Sequence, residues 1–443
     1  MKSLFLVVSL IFLLVMSLAA RASYPEFFGA SYSTTAIGNQ ANLDPNDPSN
    51  NYYVPATLGF SDKVNILMQA TTTVTEFKPM SNITITNSTN SRNDPTTGNV
   101  QNKYPKFYGG GVHFALPIGY EHLGTLGVSV FMPIGNLMET NSGNPFLPEY
   151  VMYHSRYQRT SIYVNFSRKW SDDLSWSLGS IVGFQASADV KTNLSLNGAA
   201  YGSWGQARSK IAPSLGLIAS VLKKNDQSKY YFTYQQEMKS NLHAIVAGEV
   251  NNPSLALFES GFDSMIFYDP HTFRIGSSYK FSEFGSAELF GAVEYQMWSS
   301  YKPPTIYISK IGGVIVSSGN YEKIKIKDTI NPRLGLKIDL TDRWSTGLGL
   351  GYRMSPLDGD FSGSGNSIDS NTYILSTGLQ YRIVIWSKDV NLGTSLEYQQ
   401  LEKKHVEKTT GQENGSAGPK IGAGGYDIDG YVLAASFGIK FNF

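Results

Sequence analysis

The last thirteen residues of the chain, 431–443, alternate between two kinds of side chain. One set is mostly large and apolar and ends on an aromatic residue: Tyr431, Leu433, Ala435, Phe437, Ile439, Phe441 and Phe443. The residues between them are smaller or more polar, and Lys440 is among them. A period of two is typical of a strand with one apolar face. We expect this strand to close an outer-membrane β-barrel, although the edge strand of a sandwich has the same pattern.

Residues 1–22 have the three parts of an export signal. Lys2 gives a positive start, and residues 4–18 are apolar apart from two serines. Ala20-Arg21-Ala22 then offers small residues where a signal peptidase requires them. The pattern predicts a signal peptide over 1–22, cleaved after Ala22. The alternative is an uncleaved membrane anchor, which an apolar core this short disfavours.

Charge and composition restrict the possible partners. The chain has 36 basic and 35 acidic residues, a balance that does not indicate a nucleic-acid partner. It has no cysteine, which excludes a small disulfide-stapled fold. Beyond the leader, no segment approaches the roughly 20 apolar residues of a spanning helix. Any membrane insertion must therefore use strands.

Alternation, interrupted by clusters of Gly, Asn, Asp and Pro, predicts fourteen strands. Their predicted spans are 59–77, 105–119, 123–137, 156–170, 174–190, 207–222, 229–240, 268–281, 286–299, 328–339, 343–354, 371–383, 388–401 and 429–443. Six tight connections alternate with seven long ones, at 78–104, 138–155, 191–206, 241–267, 300–327, 355–370 and 402–428. Short periplasmic turns and long external loops are typical of a membrane barrel. The prediction is an all-β fold, a transmembrane antiparallel β-barrel over residues 59–443.

Two strands show how the barrel should be oriented. In 286–299, Leu289 and Val293 share one face with Met297, whereas Glu294 and Gln296 lie on the other. In 229–238, Tyr230, Phe232 and Met238 oppose Lys229 and Gln235. A charge facing lipid near the bilayer midplane costs a few kcal/mol, so we expect the charged face in the lumen. Four aromatic residues near strand ends suit interfacial girdles: Trp170, Trp298, Tyr301 and Trp386.

Residues 23–58 precede the first predicted strand and do not alternate. The segment is small and polar, with a turn-rich run at 44–48, and it is too short to fold alone. We expect it to fill the lumen as a hatch. The alternative is a disordered leader.

The order of several short motifs resembles the FadL-type outer-membrane long-chain fatty acid transporters (the OMPP1/FadL/TodX family). The resemblance lies in the segments 29–41 and 47–56, in Phe131-Met132-Pro133-Ile134-Gly135, in Pro213-Ser214-Leu215-Gly216, and in the stretch from Asp269-Pro270 to Trp298-Ser299-Ser300-Tyr301. At the end of the hatch, Val54-Pro55-Ala56 keeps the Pro-Ala of the family's Asn-Pro-Ala but not its Asn.

The resemblance implies a fourteen-stranded barrel that is plugged by its hatch. A hydrophobic cargo would bind an external groove, enter an apolar lumen pocket and leave sideways near a kinked third strand. The positions implied for gating and the lateral opening are Pro55, Pro133 and Gly135. Proline cannot donate a hydrogen bond to a strand ladder, which fits a kink at Pro133, although Pro133 ending the strand is equally compatible with the sequence.

Apolar and basic side chains supply the candidate ligand site. Loop 241–267 is unusually apolar, and its Leu255, Phe258, Phe262 and Met265 recur at helical spacing, which suggests an adsorption groove or a lid that packs on another loop. The hatch candidates are Tyr24, Phe27, Phe28, Tyr52 and Tyr53. The candidates for a fatty carboxylate headgroup are Arg156, Arg208 and Arg274.

No motif indicates an enzyme, a metal site or a cofactor. The six histidines are scattered, and neither G-x-S-x-G nor a phosphate loop occurs. The resulting hypothesis is a monomeric transporter for passive uptake of long-chain fatty acids or similar hydrophobic molecules, located in the Gram-negative outer membrane. It would contact lipid and lipopolysaccharide there, after the C-terminal strand had engaged the barrel-assembly machinery. A general aqueous porin and a barrel enzyme such as an outer-membrane lipase are the alternatives.

Overall fold

The computed structural model describes residues 25–85, 96–100, 106–119, 123–134, 149–153, 159–194, 204–250, 258–281, 286–302, 307–311, 314–315, 325–358, 367–385, 387–406 and 426–443. The leader 1–22 lies outside these residues, so its cleavage stays a prediction. Among the described residues, no helix is both long and apolar enough to cross a membrane.

Fourteen strands form a closed antiparallel barrel. They are β1 (Asn65–Phe77), β2 (Phe107–Ile118), β3 (Gly124–Pro133), β4 (Ser161–Lys169), β5 (Leu174–Leu194), β6 (Trp204–Lys224), β7 (Ser228–Gln235 and Met238–Val250), β8 (Phe258–Asp269 and His271–Phe281), β9 (Ser286–Met297), β10 (Thr329–Asp339), β11 (Trp344–Arg353), β12 (Thr372–Ile385), β13 (Lys388–Leu401) and β14 (Gly430–Asn442). The first strand pairs with β2 on one edge and with β14 on the other, which closes the ring. The predicted strand number and fold class are confirmed.

The barrel wall is apolar outside and polar inside. In β14, Leu433 and Phe437 are exposed, whereas Ser436 and Lys440 are buried. In β9, Leu289 and Val293 are exposed and Glu294 is buried. The sequence alternation therefore predicted the facing of these strands correctly, because each strand meets lipid on one side and the filled lumen on the other.

Strand β7 departs from the predicted facing at one point. Its regular pairing is interrupted at residues 236–237, and Met238 lies inside, 4% exposed, rather than outside with Tyr230 and Phe232. Beyond the interruption, Met238–Val250 pairs with β8, and seven of its residues also pair in parallel with the upper part of β5, from Ala188 to Leu194. The shift in register moves Met238 to the other face.

The predicted loop 241–267 is wrong over its described part. Residues up to Val250 continue β7, residues from Phe258 belong to β8, and the two pair as an antiparallel hairpin with one irregularity at Ser240/Asn241. The helical spacing of the apolar residues therefore does not correspond to a helix. This hairpin extends the barrel wall outward beyond the roughly 10 residues that a spanning strand needs.

Two of the predicted girdle aromatics are also misplaced. Trp170 is 77% exposed, as predicted, but Trp298 and Tyr301 are buried against Tyr268. The indole Nε1 of Trp298 donates to Gln296 Oε1 and Thr329 Oγ1, each at 3.2 Å. These hydrogen bonds turn Trp298 toward the interior. Trp386 lies outside the described residues.

Candidate functional site

The amino-terminal segment, defined here as Pro25–Phe60, is built around one buried carboxylate. The segment contains α1 (Pro25–Phe28), α2 (Tyr32–Thr35), α3 (Asn50–Tyr53) and a 3₁₀ helix (Pro55–Phe60). Ser33 Oγ and Asn42 Nδ2 each donate to Asp47 Oδ2 at 2.6 Å, and Ser49 Oγ donates to Asp47 Oδ1 at 2.6 Å. Hydrogen bonds to a buried carboxylate are among the strong ones, so Asp47 gives a segment with few core residues a defined shape.

One side of this segment docks on glycines of β10–β14. The Gly38 N–H donates to Ser376 Oγ at 3.0 Å, and the Arg333 guanidinium donates to Gly38 O at 3.3 Å. A Cβ at Gly349 would lie 2.0 Å from the Gly38 nitrogen, and one at Gly347 would lie 2.9 Å from Ala36 Cβ. The missing side chains let the two backbones approach each other.

The other side of the segment is held by β3–β5. Asn51 Nδ2 donates to Ser129 Oγ and to Tyr163 O, both at 3.1 Å. Ser167 Oγ donates to Pro55 O at 2.7 Å, and Ser175 Oγ donates to Ala56 O at 2.6 Å. Because opposite walls of the ring contact it, the segment lies within the lumen. The hatch role and the domain limits at 22 and 58 stay predictions.

Aromatic rings cluster where Phe27 and Phe28, the tip of the amino-terminal segment, meet the barrel wall at the end away from the short turns. Phe28 stacks on Phe107 with ring centres 5.8 Å apart, and Phe27 meets Tyr153 edge-on at 5.6 Å. Tyr52 contacts Tyr53 at 4.7 Å and also packs against Phe131 and Tyr163 of the wall. Four predicted ligand residues, Phe27, Phe28, Tyr52 and Tyr53, thus lie together in one apolar region, which we name the aromatic chamber.

Arginines line the chamber, and each of those described there is paired with a carboxylate. Arg274 forms a salt bridge with Glu294 and donates to Gln235 Oε1 at 3.1 Å, and its guanidinium lies 5.0 Å from the Tyr52 ring. Arg333 lies 3.9 Å from the same Glu294. Arg353 lies 3.7 Å from Asp369 and 4.9 Å from the Phe27 ring. Of these three, the sequence singled out only Arg274. The alternation of inward and outward residues along β10 and β11 is the sequence signal that places Arg333 and Arg353 in the lumen.

The mouth opposite the short turns is covered by part of the connection between β3 and β4. Here Tyr150 packs on Phe77 with ring centres 4.2 Å apart. Tyr153 Oη accepts from Arg353 at 2.7 Å and donates to Gln399 Oε1 at 3.3 Å. Burial raises the pKa of the Tyr153 phenol, which keeps it a neutral donor. The cover is therefore bound to the chamber and to Phe27.

The described part of the chain holds small cavities beside the amino-terminal segment, one of them next to the aromatic chamber. A cavity of about 10 Å³ lies between Glu26, Tyr52, Arg274 and Gln296, which is about enough for one water.

The remaining candidates are placed as follows. Met265 is buried beside Lys302, whose N–H donates to Met265 Sδ at 3.4 Å. Phe258 and Phe262 lie on β8, and Arg208 lies on β6, but their side chains are outside the description. Tyr24, Gly135, Arg156 and Leu255 lie outside the described residues. Pro55 begins the 3₁₀ helix, and Pro133 is the last residue of β3, as in the alternative that the proline ends the strand.

A family model described as "Putative MetA-pathway of phenol degradation" matches residues 230–443. Alkane uptake protein A of Marinobacter nauticus is 27% identical over 163 residues, 36% of this chain and 34% of that relative, so the match spans about a third of the relative's length. The crystal structure of a Pseudomonas aeruginosa FadL homologue has a TM-score of 0.61 at 15% identity, covering 93% of this chain and 98% of that one. The barrel has the FadL-type fold.

Two further FadL-type structures agree with this. The toluene transporter TodX of Pseudomonas putida has a TM-score of 0.53 at 12% identity, and TbuX of Ralstonia pickettii, also a toluene transporter, has 0.51 at 13%. Both cover 93% of this chain and 98% of their own. The resemblance inferred from the short motifs is confirmed. A closed antiparallel barrel with an apolar outer wall has the form of an outer-membrane protein.

Proposed function

We propose that this FadL-type barrel takes up hydrophobic small molecules across the outer membrane by passive diffusion, with residues 23–58 as a movable hatch. The observation that carries the proposal is the aromatic chamber, a lumen region lined by aromatic rings of the amino-terminal segment and of the barrel wall. A pocket with mostly apolar lining and a few polar groups is the usual form of a small-molecule site.

The charges of the chamber favour a neutral cargo over a fatty acid. Arg274 and Arg333 share Glu294, and Arg353 has Asp369. A fatty carboxylate would compete with Glu294 or Asp369 for a guanidinium group, and displacing either buried carboxylate would leave its charge unpaired, which typically costs about 3–5 kcal/mol. A hydrocarbon leaves the pairs intact. The similarity to an alkane uptake protein and to toluene transporters supports the same cargo class.

The route before and after the chamber is also part of the proposal. Cargo would adsorb at the outer hairpin of β7 and β8, where Met265, Phe258 and Phe262 lie. It would leave sideways beside the end of β3, because Pro133 has no N–H with which to continue the ladder.

Uptake into cells tests the proposal. Cells without such channels would express the barrel or an empty vector, and receive labelled toluene, hexadecane or oleate at matched free concentrations. We expect faster entry of the two hydrocarbons, and a smaller effect on oleate. Hydrocarbon entry equal to that of the vector control would refute the transporter, and a larger effect on oleate would refute the neutral cargo.

Ion currents distinguish the porin alternative. A lumen filled by residues 25–60 should pass little current in planar bilayers, so we expect a low conductance. Steady large currents from the purified protein would support a general aqueous porin instead.

A further inference from the structure

A groove lies on the outer face of the barrel, at the end that carries the short turns. It has a volume of about 360 Å³ and is lined by Trp170, Leu174, Trp176 and Val221 with part of Ser175. Short turns mark the periplasmic end of an outer-membrane barrel. The groove therefore lies at the depth of the inner leaflet, which consists of phospholipids.

Local pairing explains why the wall is concave here. The tight turn between β4 and β5 is closed by Trp170 N–H donating to Leu174 O at 2.8 Å, which places Trp170 beside Leu174. Across the next pair of strands, Trp176 lies opposite Val221. Phe166 meets the Trp176 ring edge-on, with centres 6.1 Å apart. The indoles of Trp170 and Trp176 thus stand on either side of the shorter Leu174 and Val221 side chains.

Two exposed cations flank the groove. Arg168 lies opposite Trp176 in the β4–β5 register, and Lys223 lies opposite Leu174 in the β5–β6 register. Both are on the outward faces of their strands and exposed. Among the described residues, neither takes part in a salt bridge.

Neighbouring charges have other contacts. Lys169 pairs with Asp172 in the turn, and Ser171 Oγ donates to Asp173 Oδ1. Lys224 points inward, with Nζ 4.1 Å from the centre of the Phe60 ring. Arg168 and Lys223 are therefore the two cations on the outer surface of the groove that form no salt bridge among the described residues, although the Asp173 carboxylate lies within electrostatic reach of Lys223.

We propose that this groove binds one anionic phospholipid of the inner leaflet. Arg168 and Lys223 would hold the phosphate, since guanidinium groups bind phosphate bidentately and membrane-proximal cations attract anionic lipids. An acyl chain would lie along Trp176, Leu174 and Val221, and Trp170 would sit at the headgroup level as interfacial indoles do. The site is separate from the lumen and does not depend on the proposed transport function.

Native mass spectrometry of the whole delipidated barrel in detergent tests the site. Phosphatidylglycerol is the anionic probe, and phosphatidylcholine, which has no net charge, is the comparison lipid. We expect wild type to retain one phosphatidylglycerol in preference to phosphatidylcholine. The double variant Arg168→Ala/Lys223→Ala should bind phosphatidylglycerol at least about tenfold more weakly than wild type. Both side chains are exposed, so the barrel should still fold, which the heat-dependent shift on SDS gels verifies.

The matched control is Arg343→Ala/Lys388→Ala, which removes one exposed arginine and one exposed lysine near short turns elsewhere on the barrel. It should leave phosphatidylglycerol binding at the wild-type level. Equal losses in the two double variants would mean that only net charge matters, and would overturn the site. Equal retention of the two lipids by wild type would overturn it as well.

Discussion

At the scale of single residues, the sharpest prediction concerns Asp44 and Lys440. Lys440 Nζ on β14 lies 3.2 Å from Asp44 Oδ2 of the amino-terminal segment. Burial alone would raise the pKa of Asp44, but Lys440 and the Asn46 N–H outweigh it and lower the pKa from 3.8 to about 2. A lowered carboxyl pKa stabilises the docked segment above pH 3.8 and ceases to do so as the pH falls toward 2.

Pepsin digestion measures this effect, because the protease acts in that pH window. In the wild-type protein, residues 25–60 should become easier to cleave between pH 4 and pH 2. The free energy that holds the segment docked should fall by about 1 kcal/mol, after allowing for the 38% exposure of the Asp44 side chain. Asp44→Asn should be less protected at pH 4 and should change less on acidification. An identical pH profile for wild type and Asp44→Asn would contradict the assignment.

Which single residues were predictable depends on what fixes them. Phe27, Phe28, Tyr52 and Tyr53 were predicted as ligand residues because an apolar pocket is usually lined by aromatic rings; the structure places them together, and their role in binding stays a prediction. Arg353 was missed because its role depends on the connection that carries Tyr153, which is distant in sequence. Only the docked arrangement brings the two together.

At the scale of elements, the glycines of β11 test how the segment docks. Gly349→Ala places a Cβ 2.0 Å from the Gly38 backbone nitrogen. The segment must shift, at a cost of about 1–3 kcal/mol typical of overpacking. We expect Gly349→Ala to pass measurable ion current in planar bilayers where wild type passes little.

The control for this variant is Gly351→Ala on the same strand and face. Its nearest neighbours would be Ile374 Cβ at 3.4 Å and Cδ1 at 3.6 Å, which are ordinary contacts. It should conduct as little as wild type. Equal currents from the two variants would show that the close approach of Gly349 does not hold the segment.

Most strand ends were predicted to within a few residues, and the outer hairpin shows why the largest exception arose. Phe258 and Phe262 are four residues apart, a spacing that satisfies both a helix and every second position of a strand. The sequence cannot choose between these periods when so few residues sample them. Pairing with β7 decides, because the edges of β7 and β8 already face each other at Met238 and Asp269.

At the scale of the whole molecule, the even strand count and the sorting of loops by length were enough to predict a closed ring. They did not predict how completely the lumen is filled. That depends on the Asp47 network and on glycines in β10–β14, whose value appears only when a segment distant in sequence lies against them. Under the proposed function, the segment would have to move before cargo could pass a lumen that it occupies.

A disulfide can hold the segment docked, because the chain has no cysteine of its own. Ala36 Cβ lies 2.9 Å from a Cβ built at Gly347, so the two atoms must separate by roughly 0.6 Å to reach the Cβ–Cβ distance of about 3.5–4.5 Å in a disulfide. The variant Ala36→Cys/Gly347→Cys should stop hydrocarbon uptake when oxidised and recover it on reduction, if the segment must move. The control Gly351→Cys/Ile374→Cys joins two neighbouring wall strands, with Cβ atoms 3.4 Å apart, and should transport in both redox states. Full uptake by the oxidised Ala36–Gly347 pair would show that cargo passes without undocking this part of the segment, and would confine any motion to the tip at Phe27 and Phe28.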